Sequence, residues 1–352
     1  MIMSDTRFLD LSDALDFDEA NEELYQRGMT DGLPVIPPTE ARVARMLAGT
    51  RRDPDQSLGA MGPAYGRATI EKIAVNAVMA GCRREYMPVL IAACEAMLDE
   101  DFNLYGINAT THPVTPMLVI NGPAVERLRI NSGYNCMGQG WRANATIGRA
   151  IRLILVNIAG GTPGNGDRAT HGTPAKLGFC VGENELASPW EPLHVRRGFK
   201  PGQSSVTVHG SEAPHEINNH TSEDGAGILR TFASTLSTLG HNNSYLGRGE
   251  VAICIGPEHA DTMARDGIGI REIQEWLFAN AGNRLSALVG ITRDNYDAMG
   301  PFDRNAVDDP FVPLVSKPED YLLFVAGGVG KHSMAMPSFG LTRSVTKVIE
   351  LG

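Results

Sequence analysis

The clearest periodic pattern in the chain predicts two helices on either side of Gly81. In the segment 70–80 the apolar residues recur at intervals of three and four, which is the spacing of one face of an α-helix. Thr69 precedes this segment as a predicted N-cap, and Gly81 follows it where the helix should end. Pro88 suits the first turn of the second helix, so we expect a helical hairpin here.

Strands alternate with helices along the rest of the chain. The predicted strands cover 103–112, 116–122, 204–210, 250–256 and 321–328, and the predicted helices cover 145–158, 226–240, 258–267 and 270–282. Before about residue 52, a helical arm leads into the segment DGLPVIPPT, whose prolines favour extended backbone. The mixture predicts an α/β fold, a layered sheet with flanking helices, with parallel strands wherever a helix intervenes.

Two strand–turn–helix units share their glycine and proline positions. The segments LVINGPAVERLRINSG and AICIGPEHADTMARDG both place a Gly-Pro pair after a strand and a further glycine ten residues after the proline. This similarity predicts that the α/β body, residues 53–352, which follows the arm, residues 1–52, is built from two pseudo-repeated halves, 53–200 and 201–352. The side chains between the shared positions match poorly, and chance similarity of two such units is the alternative.

The net charge of the chain argues against two classes of binding partner. A net charge of −10 argues against nucleic acid and against an anionic membrane surface, because both require a basic face. The five cysteines lie far apart and form no CxxC pair, as expected for reduced thiols. With no signal-peptide pattern at the start and no apolar run long enough to span a bilayer, we expect a cytoplasmic protein.

Two glycine-rich segments are candidate ligand loops. In NSGYNCMGQGWRANAT, which leads into a predicted helix, Asn135, Gln139 and Arg142 are polar groups beside glycines that let a ligand approach the backbone. A cluster of plain turns is the alternative.

The second segment is GGVGKHS, residues 327–333. It is not a phosphate-binding P-loop, because Val325 and His332 stand where that motif needs glycine and Ser or Thr. We predict an anion cradle that binds a carboxylate or similar group through Gly328, Gly330, Lys331 and Ser333. His332 would be its acid or base. In the alternative interpretation, Lys331 is solvated and His332 caps a turn.

Further residues are candidates for acid–base or thiol chemistry. His112 is expected at the end of a strand, where active groups of α/β folds are common. His171 and Lys176 lie in GDRATHGTPAKLGFCVGENE, a loop rich in acids and bases. Cys82 follows a predicted helix and precedes two arginines that would lower its pKa. Each of these residues also fits a structural role.

The segment VHGSEAPHEINNH suggests a metal site as an alternative. His209, His215 and His220 are common types of metal ligand, but their spacing matches no zinc signature. A divalent metal is therefore the second hypothesis for a cofactor, and loop histidines that cap backbone are the other interpretation. His259, in the predicted helix 258–267, is interpreted as structural.

Five segments together carry a resemblance that covers most of the chain: DGLPVIPPT, VNAVMAGCRREYMPV, GWRANATIGRAIRL, SPWEPLHVRRGF and GGVGKHSMAMPSFG. They resemble an uncharacterised bacterial protein family that is associated with small companion proteins carrying a Cys- or Sec-Gly-Ser-Cys motif. The resemblance implies a two-component enzyme with a small thiol or selenol protein. The motif itself is absent from this chain, so no catalytic thiol or selenol cluster is carried over.

These observations predict a small-molecule enzyme, lyase- or hydrolase-like, that acts on a polar or carboxylated substrate by acid–base chemistry. One alternative is a metal-dependent enzyme, and another is a non-catalytic ligand-binding subunit of a two-component redox enzyme. No motif for a nicotinamide, flavin or pyridoxal cofactor is found. The N-terminal arm offers surface for a homo-oligomer or for a hetero-oligomer with the companion protein.

Overall fold

The computed structural model describes residues 16–246, 248–288 and 309–351. Its helices are α1 Phe17–Gln26, α2 Glu40–Leu47, α3 Ile70–Ala80, α4 Met87–Met97, α5 Leu104–Ala109, α6 Ala124–Arg127, α7 Arg142–Asn157, α8 Leu193–Arg196, α9 Gly225–Leu236, α10 Asn242–Leu246, α11 Pro257–Arg265 and α12 Ile270–Asn280. Its strands are β1 Ser57–Met61, β2 Gly66–Thr69, β3 Thr115–Asn121, β4 Cys180–Gly182, β5 Ser205–Ser211, β6 His215–Asn218, β7 Val251–Ile255, β8 Gly282–Arg284, β9 Phe311–Pro313, β10 Tyr321–Val325, β11 His332–Met336 and β12 Val345–Val348.

The helical hairpin of α3 and α4 agrees with the sequence prediction. Thr69 caps α3, because its hydroxyl accepts a hydrogen bond from the amide of Lys72 at 3.2 Å. Gly81 ends the helix with φ of +83°, a left-handed conformation that glycine adopts without strain. Pro88 lies in the first turn of α4, as expected.

Two of the local predictions were wrong or incomplete. The segment 103–112, predicted as a strand, contains the helix α5, because Asn103 adopts φ of +53° and its side chain accepts from the amide of Gly106 at 3.1 Å. The predicted arm is helical at α1 and extended at 31–39, but it also contains the unpredicted helix α2. The first fifteen residues of the arm lie outside the described residues.

Two four-stranded sheets form the centre of the molecule. The first sheet has the order β12-β5-β3-β4, and the second sheet has the order β10-β7-β11-β6. β3 and β4 are parallel, as are β7 and β10, and helices lie between the members of each pair in sequence. The remaining neighbours in both sheets are antiparallel. The α/β class is confirmed. The expectation of parallel strands wherever a helix intervenes holds for β3–β4 and β7–β10, but it is wrong for β3–β5 and β7–β11, which are antiparallel although helices lie between them in sequence.

The two sheets pack face to face between two layers of helices. Alternate residues of a strand point to opposite faces, so Met117 and Val119 of β3 contact the second sheet while Leu118 packs with α3, α4 and α7. In β7, Ala252 and Cys254 lie between the sheets and the other three residues pack with α9, α11 and α12. The result is a four-layer helix–sheet–sheet–helix arrangement with an apolar cluster between each pair of adjacent layers.

The two sheets have the same strand arrangement, except that the fourth strand of each sheet comes from the other part of the chain. β4, β3 and β5 correspond to β10, β7 and β11 in sheet position, relative direction and chain order. The fourth strand of the first sheet is β12, which follows β11, and the fourth strand of the second sheet is β6, which follows β5. With the halves defined by their strands, β3 to β6 in one and β7 to β12 in the other, each half supplies the outer strand of the other half's sheet. The boundary at residue 200, which falls before β5, stays a prediction.

Candidate functional site

Two glycine-rich loops from distant parts of the chain line one cavity of about 420 Å³. One wall is the loop 135–138, which precedes α7, and the other is 326–330, the turn between β10 and β11. Cys254 and Gly256 at the end of β7, and residues 332–334 of β11, complete the lining. The cavity thus lies where the parallel strands β7 and β10 end, which is the usual place for a ligand site in an α/β sheet.

Glycine is required where the two loops meet. The Gly327 amide donates to the carbonyl of Ser132 at 2.9 Å, which joins the loops through their backbones. A Cβ atom on Gly328 would lie within 2.4 Å of three ring atoms of Tyr134, so only glycine lets that ring pack here. Gly327 also has φ of +115°, a conformation that other residues avoid.

The Ser333 hydroxyl makes two close polar contacts at the cavity wall. Its oxygen accepts from the Gly256 amide at 3.0 Å and lies 2.8 Å from Nδ1 of His259. The other ring nitrogen of His259, Nε2, lies 3.3 Å from the carbonyl oxygen of Asn219. His259 is fully buried, and this burial lowers the pKa of its imidazole, so the ring is neutral near pH 7.

His332 stands at the open side of the cavity with its side chain 42% exposed. Its Nδ1 lies 2.6 Å from a carboxylate oxygen of Glu216, and its Nε2 lies 2.9 Å from Nε2 of His220. The antiparallel pairing of β6 with β11 brings these groups together, because Glu216 lies opposite Met334 and His332 opposite Asn218. An imidazole with a carboxylate and a second imidazole beside it is a chemically suitable acid–base group.

The other predicted residues of the two loops differ in their placement. Asn135 lines the cavity, and its side-chain amide donates to the Gln139 carbonyl at 2.7 Å. Arg142 donates instead to the carbonyl of Gly81, at 3.2 and 2.9 Å. Lys331 donates to the carbonyl of His220 at 3.3 Å and is not among the described residues that line the cavity. Gln139 and Arg142 are likewise absent from that lining.

His112, His171 and Lys176 lie on two adjacent loops near the start of β3 and not at this cavity. The expectation that His112 ends a strand was wrong, because it follows α5; its Nε2 lies 2.7 Å from Glu212. Lys176 is bound to both carboxylate oxygens of Asp167, at 2.7 and 2.6 Å, and burial lowers its pKa. His171 is exposed to solvent.

The expectation of a lowered pKa at Cys82 is wrong. Burial raises the pKa of its thiol to about 12, which outweighs the smaller opposing effects of Arg142 and Arg149. The thiol donates to the carbonyl of Thr146 at 3.2 Å. Cys82 does line a shallow cavity of about 300 Å³, together with Arg42, Arg45 and Arg84.

The three histidines of the alternative metal site are not assembled. His209 is fully buried with its Nδ1 2.9 Å from the Ser344 hydroxyl, His215 is exposed on β6, and His220 contacts His332. Across residues 16–246, 248–288 and 309–351, no three His, Cys, Asp or Glu side chains are grouped so as to hold a metal ion.

Sequence reasoning missed His259 as the partner of Ser333, a residue of the cavity wall. The signal was present, because His259 follows Gly256 by three residues and so lies in the first turn of the helix that begins at a strand end. The contact with Ser333 also depends on the register of β11 against β7, which no local pattern reveals.

Comparisons with known proteins give no match, so an assignment of function has to be based on the fold and the cavity. No protein-family profile, no curated protein and no solved structure matches this chain. No helix in the described parts of the chain is long and apolar enough to cross a membrane.

Proposed function

We propose that this chain is a small-molecule enzyme, hydrolase- or lyase-like, whose active site is the cavity between the loops 135–138 and 326–330. The convergence of these two loops on one cavity is the observation that carries the proposal. A volume of about 420 Å³ suits a small metabolite. The wall combines apolar side chains such as Met137 and Met334 with a few polar groups, as substrate sites commonly do.

Backbone amides are the proposed anion-binding groups. The amides of Gly328, Val329 and Gly330 donate to no carbonyl or side chain within the described residues. Successive free amides in a glycine-rich turn can form a concave donor surface, which fits a carboxylate or phosphate oxygen. The proposed substrate therefore carries such a group, and His332 acts on it as acid or base.

Anion binding is tested with malonate and inorganic phosphate as probes, and with Cys136 on the cavity wall as the reporter. Either anion should slow the alkylation of Cys136 in a saturable manner, because an occupied cavity excludes the reagent. In Gly328→Ala this protection should weaken at least tenfold, since the new Cβ displaces Tyr134. Gly240→Ala is the matched control, because a Cβ at Gly240 meets nothing within 4 Å.

Catalysis is tested by screening carboxylated and phosphorylated esters, amides and hydroxy acids for turnover. We expect His332→Gln to lower the rate on any active substrate by about a hundredfold or more, the usual contribution of a general acid or base. His171→Gln, at an exposed position outside the cavity, should leave the rate unchanged. If His171→Gln removes turnover and His332→Gln does not, the site lies near β3 and the proposal is wrong.

A second candidate is a ligand-binding subunit that works with a small thiol or selenol protein. Two exposed apolar side chains at the cavity favour it: Val329, which lines the cavity, is 72% exposed, and Tyr134, which packs on Gly328, is 67% exposed. Such side chains are common where a partner docks. Turnover by the purified chain alone would count against this candidate. Turnover only after a companion protein is added would support it.

A further inference from the structure

A serine of the cavity wall and a histidine buried behind it are arranged as an activated nucleophile and its base. The Ser333 hydroxyl oxygen lies 2.8 Å from Nδ1 of His259, within the range that a nucleophile and its base require. Ser333 is among the residues that line the cavity, and only 3% of the residue is exposed. His259 is fully buried behind it.

The hydrogen bonds around Ser333 and His259 determine which of the two donates the hydrogen between them. The carbonyl oxygen of Asn219 can only accept, so Nε2 of His259 carries the hydrogen that it donates there. Nδ1 is then the unprotonated nitrogen and accepts from the Ser333 hydroxyl. The Gly256 amide donates to the same hydroxyl oxygen at 3.0 Å and fixes its position. A nucleophile, a base and a group that orients the base are thus all present.

We propose that Ser333 is the nucleophile and His259 the general base of an acyl-transfer reaction, which hydrolyses an ester or amide of a small acid bound in the cavity. This inference rests on the proposed function and names its reaction class. It assigns to His259 a chemical role that the sequence alone did not suggest.

The reaction balances without any further reactant than water. Ser333 passes its proton to Nδ1 of His259 as its oxygen bonds to the acyl carbon, and the leaving group departs with the proton from Nδ1. Water then gives a proton to His332, the base at the open side of the cavity, as its oxygen bonds to the acyl carbon. The bond from the serine oxygen to the acyl carbon breaks, and Ser333 takes up the proton that His332 releases. Asn219 holds Nε2–H through both halves of the cycle.

The molecule contains a matched control for this pair. Ser344 also has its hydroxyl oxygen 2.9 Å from a histidine Nδ1, that of the buried His209. The Ser344 hydroxyl, however, donates to the carboxylate of Glu250, so its proton is not directed at the imidazole. Ser344 is also not among the residues that line the cavity. A serine probe should therefore distinguish the two sites.

The test is covalent labelling of the full chain with an alkyl fluorophosphonate, followed by mass-spectrometric mapping of the adduct. We expect one adduct at Ser333, lost in heat-denatured protein and in Ser333→Ala, and formed at least a hundredfold more slowly in His259→Gln. Ser344→Ala should label at the parental rate. Because the adduct is mapped in the parental chain, the result does not depend on the folding of a variant.

The outcomes separate this inference from the proposed function. The assignment of Ser333 as nucleophile and His259 as base is wrong if Ser333 is not labelled, if the adduct forms at Ser344, or if His259→Gln is labelled at the parental rate. If malonate or phosphate still protects Cys136 in that case, the anion-binding cavity stands and only the acyl-transfer step falls. If neither probe interacts with the cavity, both proposals fall.

Discussion

The cysteine thiols differ in how strongly burial suppresses their ionisation. Burial raises the pKa of Cys82 to about 12 and that of Cys136 to about 11. The pKa of Cys254, which also lines the large cavity, is raised well above the ordinary value. Since the thiolate is the reactive form, the order of reactivity follows these pKa values.

We therefore predict that Cys136 is alkylated faster than Cys82, because burial raises the pKa of Cys136 less. Iodoacetamide labelling at short times, mapped by mass spectrometry on the native chain, measures both rates in one sample. Cys136→Ala should remove the earliest adduct, and Cys82→Ala should leave it in place. If Cys82 is labelled first, local opening and not burial controls the thiols.

Single residues of the cavity could be predicted from the sequence only in part. The glycines that precede Lys331 and His332 form a local pattern. This pattern predicted a ligand loop at a segment that does line the cavity. The contact of Ser333 with His259 joins residues 74 positions apart, so no local pattern carries it. The pKa of Cys82 was also not predictable from its sequence neighbours. The surrounding apolar core, and not the arginines next to it in the sequence, decides that pKa.

At the scale of elements, helix ends with local hydrogen bonds were predictable. Thr69 caps α3 through the Lys72 amide, whereas Thr39, which precedes α2, makes no side-chain capping bond. α5 was missed because its start depends on the left-handed backbone of Asn103, which the apolar pattern does not reveal. Asn103 also donates to the carbonyl of Leu341, a contact over 238 positions.

This pair of threonines gives a prediction for stability. Thr69→Ala should lower the free energy of unfolding by about 1 kcal/mol, because one amide of the first turn loses its partner. Thr39→Ala should cost clearly less, since no capping bond is removed. Urea unfolding followed by circular dichroism compares the two variants with the parent. Equal losses would mean that the cap of α3 contributes nothing specific.

At the scale of the whole molecule, the exchange of outer strands connects the two halves. The repeated Gly-Pro units at Gly122 and Gly256 were visible in the sequence, and both lie just after the central strand of a sheet. A Cβ at either glycine would lie about 2 Å from a carbonyl oxygen, of Gln203 or of His332, which explains why glycine recurs. The exchange of β6 and β12 was not visible, because strand partners are chosen by non-local packing.

Removal of β12 tests the exchange. We predict that a chain ending at Ser344 exchanges the amide hydrogens of 205–208 faster, because β12 pairs with β5 through Val345–Val348. The strand β11 should keep its protection, since its partners β7 and β6 remain, although β11 is nearer in sequence to the deletion. Hydrogen exchange followed by peptide mass spectrometry measures both strands in one experiment.

A chain ending at Val348 is the control for this deletion, because it loses the terminal residues and keeps β12. Its exchange at 205–208 should stay close to that of the parent, apart from the loss of the hydrogen bond between the Ile349 amide and the Ser204 carbonyl. The exchanged-strand topology requires that deletion of β12, at the C-terminal end of the second half, speeds amide hydrogen exchange in β5, in the sheet of the first half. Faster exchange in 332–336 with unchanged 205–208 would contradict it, because the deleted segment would then have stabilised its own half.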